Sequence, residues 1–227
     1  MNRGILLARG IPSQEDLVKS ARGICSNDED ALNLLCGTFN DMAKGYCHVY
    51  RMQAREYFGL RDFYSLVKML FSIVVKEQRP LSPKEEIEVV QRNFGGYFGD
   101  FHPALEFLMS VKPGFNETDL ISSKELIMAA LKQPENPTET RYILLLTKNK
   151  AALRIIDEHN LLNGKFSVIY GSSFPHDQEY TQICYNINRI KIAMETGQTI
   201  VLTNLDNLYE SLYDALNQNY MMLGGDR

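Results

Sequence analysis

The chain has 227 residues, of which 44% are hydrophobic and 23% are charged, and its formal net charge at pH 7 is −4. This composition is typical of a globular protein with one large or two small cores. The acidic balance argues against a nucleic-acid-binding protein, which needs a basic patch or stripe. No apolar run approaches the roughly 20 residues of a membrane-spanning helix.

The cysteine pattern gives information about metal binding and about the cellular compartment of the protein. Four cysteines occur without a CxxC or CxH pair, so we expect no zinc site. Cys25, Cys36 and Cys47 recur at equal intervals of about three helical turns, which favours small buried side chains on helix faces. The N-terminal stretch MNRGILLARGIPS lacks the apolar region and cleavage site of a secretory signal. We therefore expect a reducing, cytoplasmic location.

Residues 12–133 have the pattern of successive helices. Ser13, with Asp16 three positions later, is typical of a helix N-cap. Steps of three and four then predict one face of a single long helix, which carries Leu32, Leu35, Phe39, Met42, Tyr46 and Val49. The same spacing recurs after Gly59, at Leu60, Phe63, Val67, Leu70 and Val74.

The helical pattern continues with clearer boundaries. Ser82 and Glu85 form a predicted capping box around a proline at the first helical position, and this helix ends near Gly95. A brief helix is expected over Pro103–Val111, and a further helix opens at Ser122.

The stretch QPENPTET, Gln133–Thr140, has two prolines and no apolar residue, so we predict a linker there. After it the pattern changes to three short apolar runs, each followed by a helical one. The predicted strands are Tyr142–Leu146, Phe166–Tyr170 and Ile200–Leu202. The predicted helices are Lys148–His159, a second that ends at Gly197, and a third that carries Leu208, Leu212, Leu216 and Tyr220. This order implies a parallel sheet covered by helices.

Ligands of open parallel sheets bind beyond the carboxyl ends of the strands. After the first predicted strand, Thr147 can cap the next helix, and Lys148 can face an anion at the positive helix end. No glycine occurs between Arg141 and Gly164, so the glycine-rich loop of a phosphate cradle is missing. The alternative to weak phosphate binding is a solvated lysine at a short turn.

The tip of the third strand reads Thr203-Asn204-Leu205. Phosphate hydrolysis requires a carboxylate that holds magnesium, and Asn204 cannot supply that charge. Glu210, near the start of the next helix, can act as the acid, or it can be a favourable charge near a helix N-terminus. At the second tip, His176 has no partner recognisable in the sequence, so we expect it to be exposed to solvent.

Several segments resemble a known family. The segments are REYFGLRDFYSLVKML (Arg55–Leu70) and GSSFPHDQEYTQICYNINRIKIAMETGQTIVLTNLDNLYESLYDALNQ (Gly171–Gln218), together with the opening MNRGI and RYILLLTKNKAAL (Arg141–Leu153). They closely resemble the mysterin family, whose members are giant ring-finger E3 ubiquitin ligases built around a dynein-like AAA+ core. The resemblance covers most of this chain and a small part of the family's length.

The resemblance implies a fold that is mainly α plus α/β. Residues 1–132 correspond to the helical lid and inter-module linker of one AAA+ module. Residues 140–227 correspond to the N-terminal part of the next large subdomain, a partial P-loop-like parallel α/β sandwich. Because Met1 leads straight into an apolar patch and the chain stops at LGGDR, we also expect a fragment of a larger protein.

The resemblance also implies a nucleotide site for ATP and Mg²⁺, although neither a standard Walker A nor a standard Walker B motif is present. Lys148 is the surrogate Walker A lysine, with Thr147 and Asn204 beside it, and Glu210 is the surrogate Walker B acid. The implied partners are neighbouring AAA+ modules of the same chain and the ubiquitin machinery. The ring finger of the family has no counterpart here, because no Cys/His cluster occurs.

Three functions remain open from the sequence. The first is a piece of an AAA+ ubiquitin ligase. In this interpretation the piece has a degenerate nucleotide site of its own, and it couples neighbouring AAA+ modules and serves as their scaffold. The second is an active ATPase module that uses Lys148 and Glu210. The third is a non-catalytic helical scaffold or interaction domain that binds no nucleotide.

Overall fold

We analysed a computed structural model of the chain, which describes residues 12–54, 57–97, 100–131, 142–149, 151–162, 166–172 and 174–217. The chain divides into two compact units, Met1–Leu126 and Ile127–Arg227. The predicted linker Gln133–Thr140 lies outside the described residues.

The first unit is helical. Its helices are α1 (Gln14–Ile24), α2 (Glu29–Leu35), α3 (Thr38–Met52), α4 (Leu60–Glu77), α5 (Pro83–Phe94) and α6 (Pro103–Val111), and α7 (Ser123–Leu131) contains the division between the units. Capping residues begin several of them where the sequence predicts. The Ser13 hydroxyl accepts a hydrogen bond from the Asp16 backbone N–H at 3.2 Å, and Ser82 and Glu85 form the reciprocal box at the start of α5.

The single long helix predicted through Leu32 and Val49 is wrong in one respect. The structure has two helices there, α2 and α3, which are separated at Cys36 and Gly37. Both residues keep right-handed helical dihedral angles, so the apolar face continues across the break and Phe39 is fully buried. Glycine is a weak helix former, which explains why the break falls at this point.

Aromatic rings hold the first unit together. The Tyr46 ring on α3 lies 5.3 Å from the Phe63 ring on α4 and 6.4 Å from the Phe94 ring on α5. The Phe94 ring in turn lies 5.1 Å from that of Phe107 on α6. Such tilted and edge-on pairs stabilise a core beyond their area of contact. Helix α6 approaches α3 closely because Gly45 has no side chain, and an added Cβ there would overlap the Phe107 ring.

The cysteines follow the sequence interpretation in part. Cys25 and Cys47 are buried, whereas Cys36 and Cys184 are half-buried, and all four are free thiols. Burial raises the pKa of the Cys25 thiol to about 11.

The second unit is a small α/β arrangement. It contains α8 (Ala151–Glu158), β1 (Ser167–Tyr170), α9 (Tyr180–Glu195) and β2 (Ile200–Thr203), followed by α10 (Asp206–Tyr209) and α11 (Tyr213–Leu216). The strands pair in parallel, with Ser167 opposite Ile200 and Tyr170 opposite Thr203. The predicted parallel order of these two strands is therefore confirmed. Ile169, Ile190 and Leu208 form the centre of the apolar core between the sheet and the helices.

The prediction of a buried first strand at Tyr142–Leu146 is wrong. The structure describes these residues without a strand partner, and 76% of Leu144 and 61% of Tyr142 are exposed. The described sheet therefore has two strands rather than three. The continuous apolar run gave no information about its pairing partner, because strand pairing depends on residues far apart in sequence.

The predicted third helix is also irregular. Two short α-helices, α10 and α11, flank a 3₁₀ turn at Glu210–Leu212, instead of forming one continuous helix. Leu208 and Leu212 are nevertheless buried, so the predicted apolar face is correct over this part. Tyr220 lies outside the described residues.

Within the described part of the chain, no helix is both long and apolar enough to cross a membrane.

Tyr46→Phe is expected to stabilise the first unit. The Tyr46 hydroxyl is buried and has no hydrogen-bond partner among the described residues. Its removal relieves a desolvation cost, so the free energy of unfolding should rise by about 1 kcal/mol. Urea denaturation monitored by circular dichroism measures this change. Tyr64→Phe, at a half-buried ring of the same cluster, is the control and should leave stability within error. A loss of stability in Tyr46→Phe would contradict the assignment of an unpaired hydroxyl.

The Arg79–Glu85 pair should make the first unit sensitive to acid. The two terminal nitrogens of the Arg79 guanidinium, Nη1 and Nη2, donate to the Glu85 carboxylate, at 2.9 and 2.7 Å. This pairing, with the hydrogen bonds from Ser82, lowers the pKa of Glu85 from 4.5 to about 2. A lowered pKa in the folded state means that the stabilisation is complete above about 4.5 and is lost as the pH falls towards 2.

Arg79→Gln should therefore shift the acid-unfolding midpoint to higher pH, as followed by circular dichroism. Arg92→Gln removes an arginine from α5 that makes a longer contact, 3.7 Å, with Glu88, and it serves as the control. Equal shifts in the two variants would contradict a specific role for the Arg79–Glu85 pair.

Candidate functional site

The carboxyl ends of β1 and β2 meet at a close backbone contact. The Gly171 N–H donates to the Thr203 carbonyl at 2.7 Å, which continues the ladder by one residue. A Cβ at Gly171 would overlap the carbonyl oxygen of Asn204. Asn204 itself has a φ of 53°, a left-handed conformation that asparagine tolerates better than most residues. The chain can therefore leave β1 at Gly171 and β2 at Asn204 while the two backbones stay in contact.

A cavity of about 310 Å³ opens beside this contact. It lies at the carboxyl end of β1, where open parallel sheets bind ligands. Its lining combines backbone and side chains of β1 and the following residues, one face of α9, and the segment after β2. The lining residues include Gly171, Ser172, Gln182, Asn186, Arg189 and Leu205.

Two backbone donors next to Thr147 are already bonded within their own turn. The Thr147 hydroxyl accepts a hydrogen bond from the Ala152 N–H at 3.1 Å, and the Lys148 carbonyl accepts one from the Ala151 N–H, also at 3.1 Å. These are two of the backbone N–H groups at the start of α8, a position where helices commonly bind phosphate. The turn itself bonds these two donors, so neither of them is free for a phosphate of a nucleoside triphosphate.

The other predicted site residues are exposed. Lys148, Asn204 and Glu210 all face solvent, and no described residue forms an ion pair with the Lys148 ammonium or the Glu210 carboxylate. Glu210 opens the 3₁₀ turn between α10 and α11. Although the structure describes Thr147 and these three residues, none of them lines the cavity.

The cavity also includes polar residues of α9 that the sequence interpretation did not select. Asn186 is the buried polar residue of α9, with 8% of its surface exposed. A polar residue spaced between Ile183 and Ile190 on the apolar face of a helix was the available signal. Arg189 carried no signal, because an arginine on an amphipathic helix usually faces solvent.

At the second predicted tip, Gly171 and Ser172 line the cavity. His176 lies in a 3₁₀ turn, Pro175–Gln178, and its predicted exposure falls outside what the structure describes. Over the described residues, no three His, Cys, Asp or Glu side chains are close enough together to hold a metal ion.

Sequence comparisons place the chain among known proteins. The model of a family described as the RNF213 AAA domain matches residues 133–227. The chain is 46% identical over 234 residues to the E3 ubiquitin-protein ligase RNF213 of Mus musculus and 44% identical over 237 residues to that of Homo sapiens. It is 41% identical over 232 residues to rnf213-beta of Danio rerio. Each alignment covers 100% of this chain and 4% of the relative.

The chain belongs to the RNF213 (mysterin) family. The resemblance stated from the sequence is therefore confirmed. The chain spans about 4% of the length of the RNF213 relatives that it matches. The match to the RNF213 AAA domain includes both strands of the parallel sheet, the cavity and all four predicted nucleotide-site residues, so these features belong to an AAA-type region.

Gly171→Ala should disrupt the strand tips of this RNF213-type sheet. The added methyl group must push away the Asn204 backbone, which costs about 2 kcal/mol, as overpacking typically does. Amide hydrogen exchange should become faster for Val168 to Gly171 and for Val201 to Thr203. Gly96→Ala is the control, since a Cβ there meets no atom within 4 Å. Unchanged exchange in Gly171→Ala would show that the two tips are not in contact.

Proposed function

We propose that this chain is part of the AAA+ core of a giant E3 ubiquitin ligase, and that its own nucleotide site is degenerate. It couples and scaffolds neighbouring AAA+ modules of the same polypeptide rather than hydrolysing ATP itself. The match of residues 133–227 to the RNF213 AAA domain supports the AAA+ assignment. The hydrogen bonds that close the Thr147 turn support the loss of the phosphate cradle.

The domain arrangement follows the same proposal. Residues 1–132 are the helical lid and linker of a preceding AAA+ module, and residues 140–227 are the start of the next large α/β subdomain. The capped helices around one aromatic core support the first assignment. The parallel pair of β1 and β2, joined through α9, supports the second.

In this proposal Lys148 and Glu210 occupy the places of the Walker A lysine and the Walker B acid, with Thr147 and Asn204 beside them. Their chemistry is reduced for two reasons. Thr147 is engaged as the cap of α8, and Asn204 has no negative charge with which to hold magnesium. ATP and Mg²⁺ act at other modules of the complete protein, where they drive remodelling that is coupled to ubiquitin transfer.

The partners and compartment come from the family. The mouse and human relatives are E3 ubiquitin-protein ligases, which supports the ubiquitin machinery as the partner of the complete protein. We propose a cytoplasmic location, in keeping with four free thiols in a reducing environment.

A second function is a helical scaffold that binds no nucleotide and has no motor role. The closed Thr147 turn favours it equally, because such a scaffold needs no phosphate donors. The two functions differ in the complete protein: a coupling module transmits the nucleotide state of its neighbours, whereas a scaffold does not. Substitution of Gly171 by alanine in the complete ligase should lower ATP-stimulated ubiquitin transfer if the module couples, and leave that stimulation unchanged if it only scaffolds.

MgATP should not stabilise this chain. A ligand that binds only the folded state at 100 times its Kd raises the free energy of unfolding by about 2.7 kcal/mol. A thermal melt with and without saturating MgATP measures this change, and we expect the same melting temperature in both.

Lys148→Ala and Glu210→Gln sharpen this test, with Lys191→Ala, which removes an exposed lysine of α9, as the matched control. All three should melt alike with and without MgATP. A shift in the unsubstituted chain that disappears in Lys148→Ala and Glu210→Gln, and persists in Lys191→Ala, would instead establish an active nucleotide site.

A further inference from the structure

We propose that the cavity at the carboxyl end of β1 binds a compact ligand that carries an oxyanion, a carboxylate or a phosphate group, which pairs with Arg189. This site is separate from the four residues of the proposed nucleotide site, none of which lines it. The inference therefore does not rest on the proposed function.

Arg189 is the anion-binding group of the cavity. It lies on α9 and is half-buried, and its guanidinium carbon is 5.9 Å from the centre of the Tyr185 ring. This cation–π contact holds the charge in place without neutralising it. No described carboxylate lies within ion-pair distance of the Arg189 guanidinium. Its fork of N–H donors is not engaged by any described carboxylate and has the geometry for bidentate recognition of an oxyanion.

The side-chain amides of the cavity are weakly paired. Asn186 is buried, and buried amides normally have well-formed hydrogen bonds. The bond from Gln182 Nε2 to Asn186 Oδ1 is 3.4 Å long, beyond the usual range for N–H···O. A ligand oxygen can take donors from these amides while breaking little, so they suit the polar part of a ligand.

The apolar part of the lining fixes the size and character of the ligand. Ile169, Leu205 and Leu208 line the cavity and are almost fully buried. Low polarity near the charge strengthens the attraction between the guanidinium and an anion. A volume of about 310 Å³ lies at the lower end of the range for small-molecule pockets. The ligand is therefore small, with a short apolar body beside its oxyanion.

Nuclear magnetic resonance titration of the ¹⁵N-labelled 227-residue chain tests the proposal. The probes are inorganic phosphate and, in a separate arm, butyrate, which joins a carboxylate to a short apolar body. We expect a saturable shift of the Arg189 Nε–H and the Asn186 side-chain amide with at least one probe. The arm that saturates at the lower concentration tells which oxyanion the site prefers.

Arg189→Gln should weaken binding of the preferred probe by about tenfold or more, the effect of losing a charged hydrogen bond. Arg189→Lys, which keeps the charge but not the fork, should lose less. Arg154→Gln is the matched control: it removes an exposed arginine of α8 that pairs with Glu158, and it should bind as the unsubstituted chain does.

Asn186→Asp is a second variant of nearly unchanged shape. Its carboxylate repels an anion inside the cavity, so binding should be lost without a change in the β1–β2 amide pattern. The proposal is overturned if neither probe causes a saturable shift at Arg189 and Asn186. It is also overturned if Arg154→Gln weakens binding as much as Arg189→Gln does.

Discussion

The second unit depends on one backbone contact, between Gly171 and the Asn204 carbonyl at the ends of the two parallel strands. A side chain at residue 171 would separate these tips. Such a separation would disturb both the cavity and the apolar core. Gly171 and Leu205 both line the cavity, and Leu205 is also part of the core. The first unit follows the same rule, since Gly45 lets the Phe107 ring lie against α3. In each unit a missing Cβ permits the closest approach between elements.

Much of the helical unit was predictable, because its signals are local. Ser13 and Ser82 cap their helices in the structure as the sequence predicts, and α6 spans the predicted residues. What failed depended on distant partners. The run Tyr142–Leu146 is apolar enough for a buried strand, but pairing is decided by the rest of the sheet. The predicted third helix, which carries Leu208, has the expected apolar face but is interrupted by a 3₁₀ turn.

The candidate site shows the same division. The sequence identified the strand tips and the absence of a glycine-rich loop, and in the structure Thr147 caps α8. The roles of Lys148 and Glu210 stay predictions, because they derive from family positions. The lining that α9 contributes to the cavity was not predictable, since Arg189 becomes part of a site only when α9 packs beside β1. In this AAA-type region the parallel pair of strands is present, and two backbone N–H groups at the start of α8 bond within their own turn.

The most direct measurement of the central claim is the response of the Ala151 and Ala152 backbone amides to MgATP, followed by nuclear magnetic resonance. In the structure these two N–H groups donate to Lys148 and Thr147 within the turn. If the cradle is closed, their chemical shifts stay constant as MgATP is added. A saturable shift of both amides, with a matching response at Asn204, would contradict the account and identify a working nucleotide site.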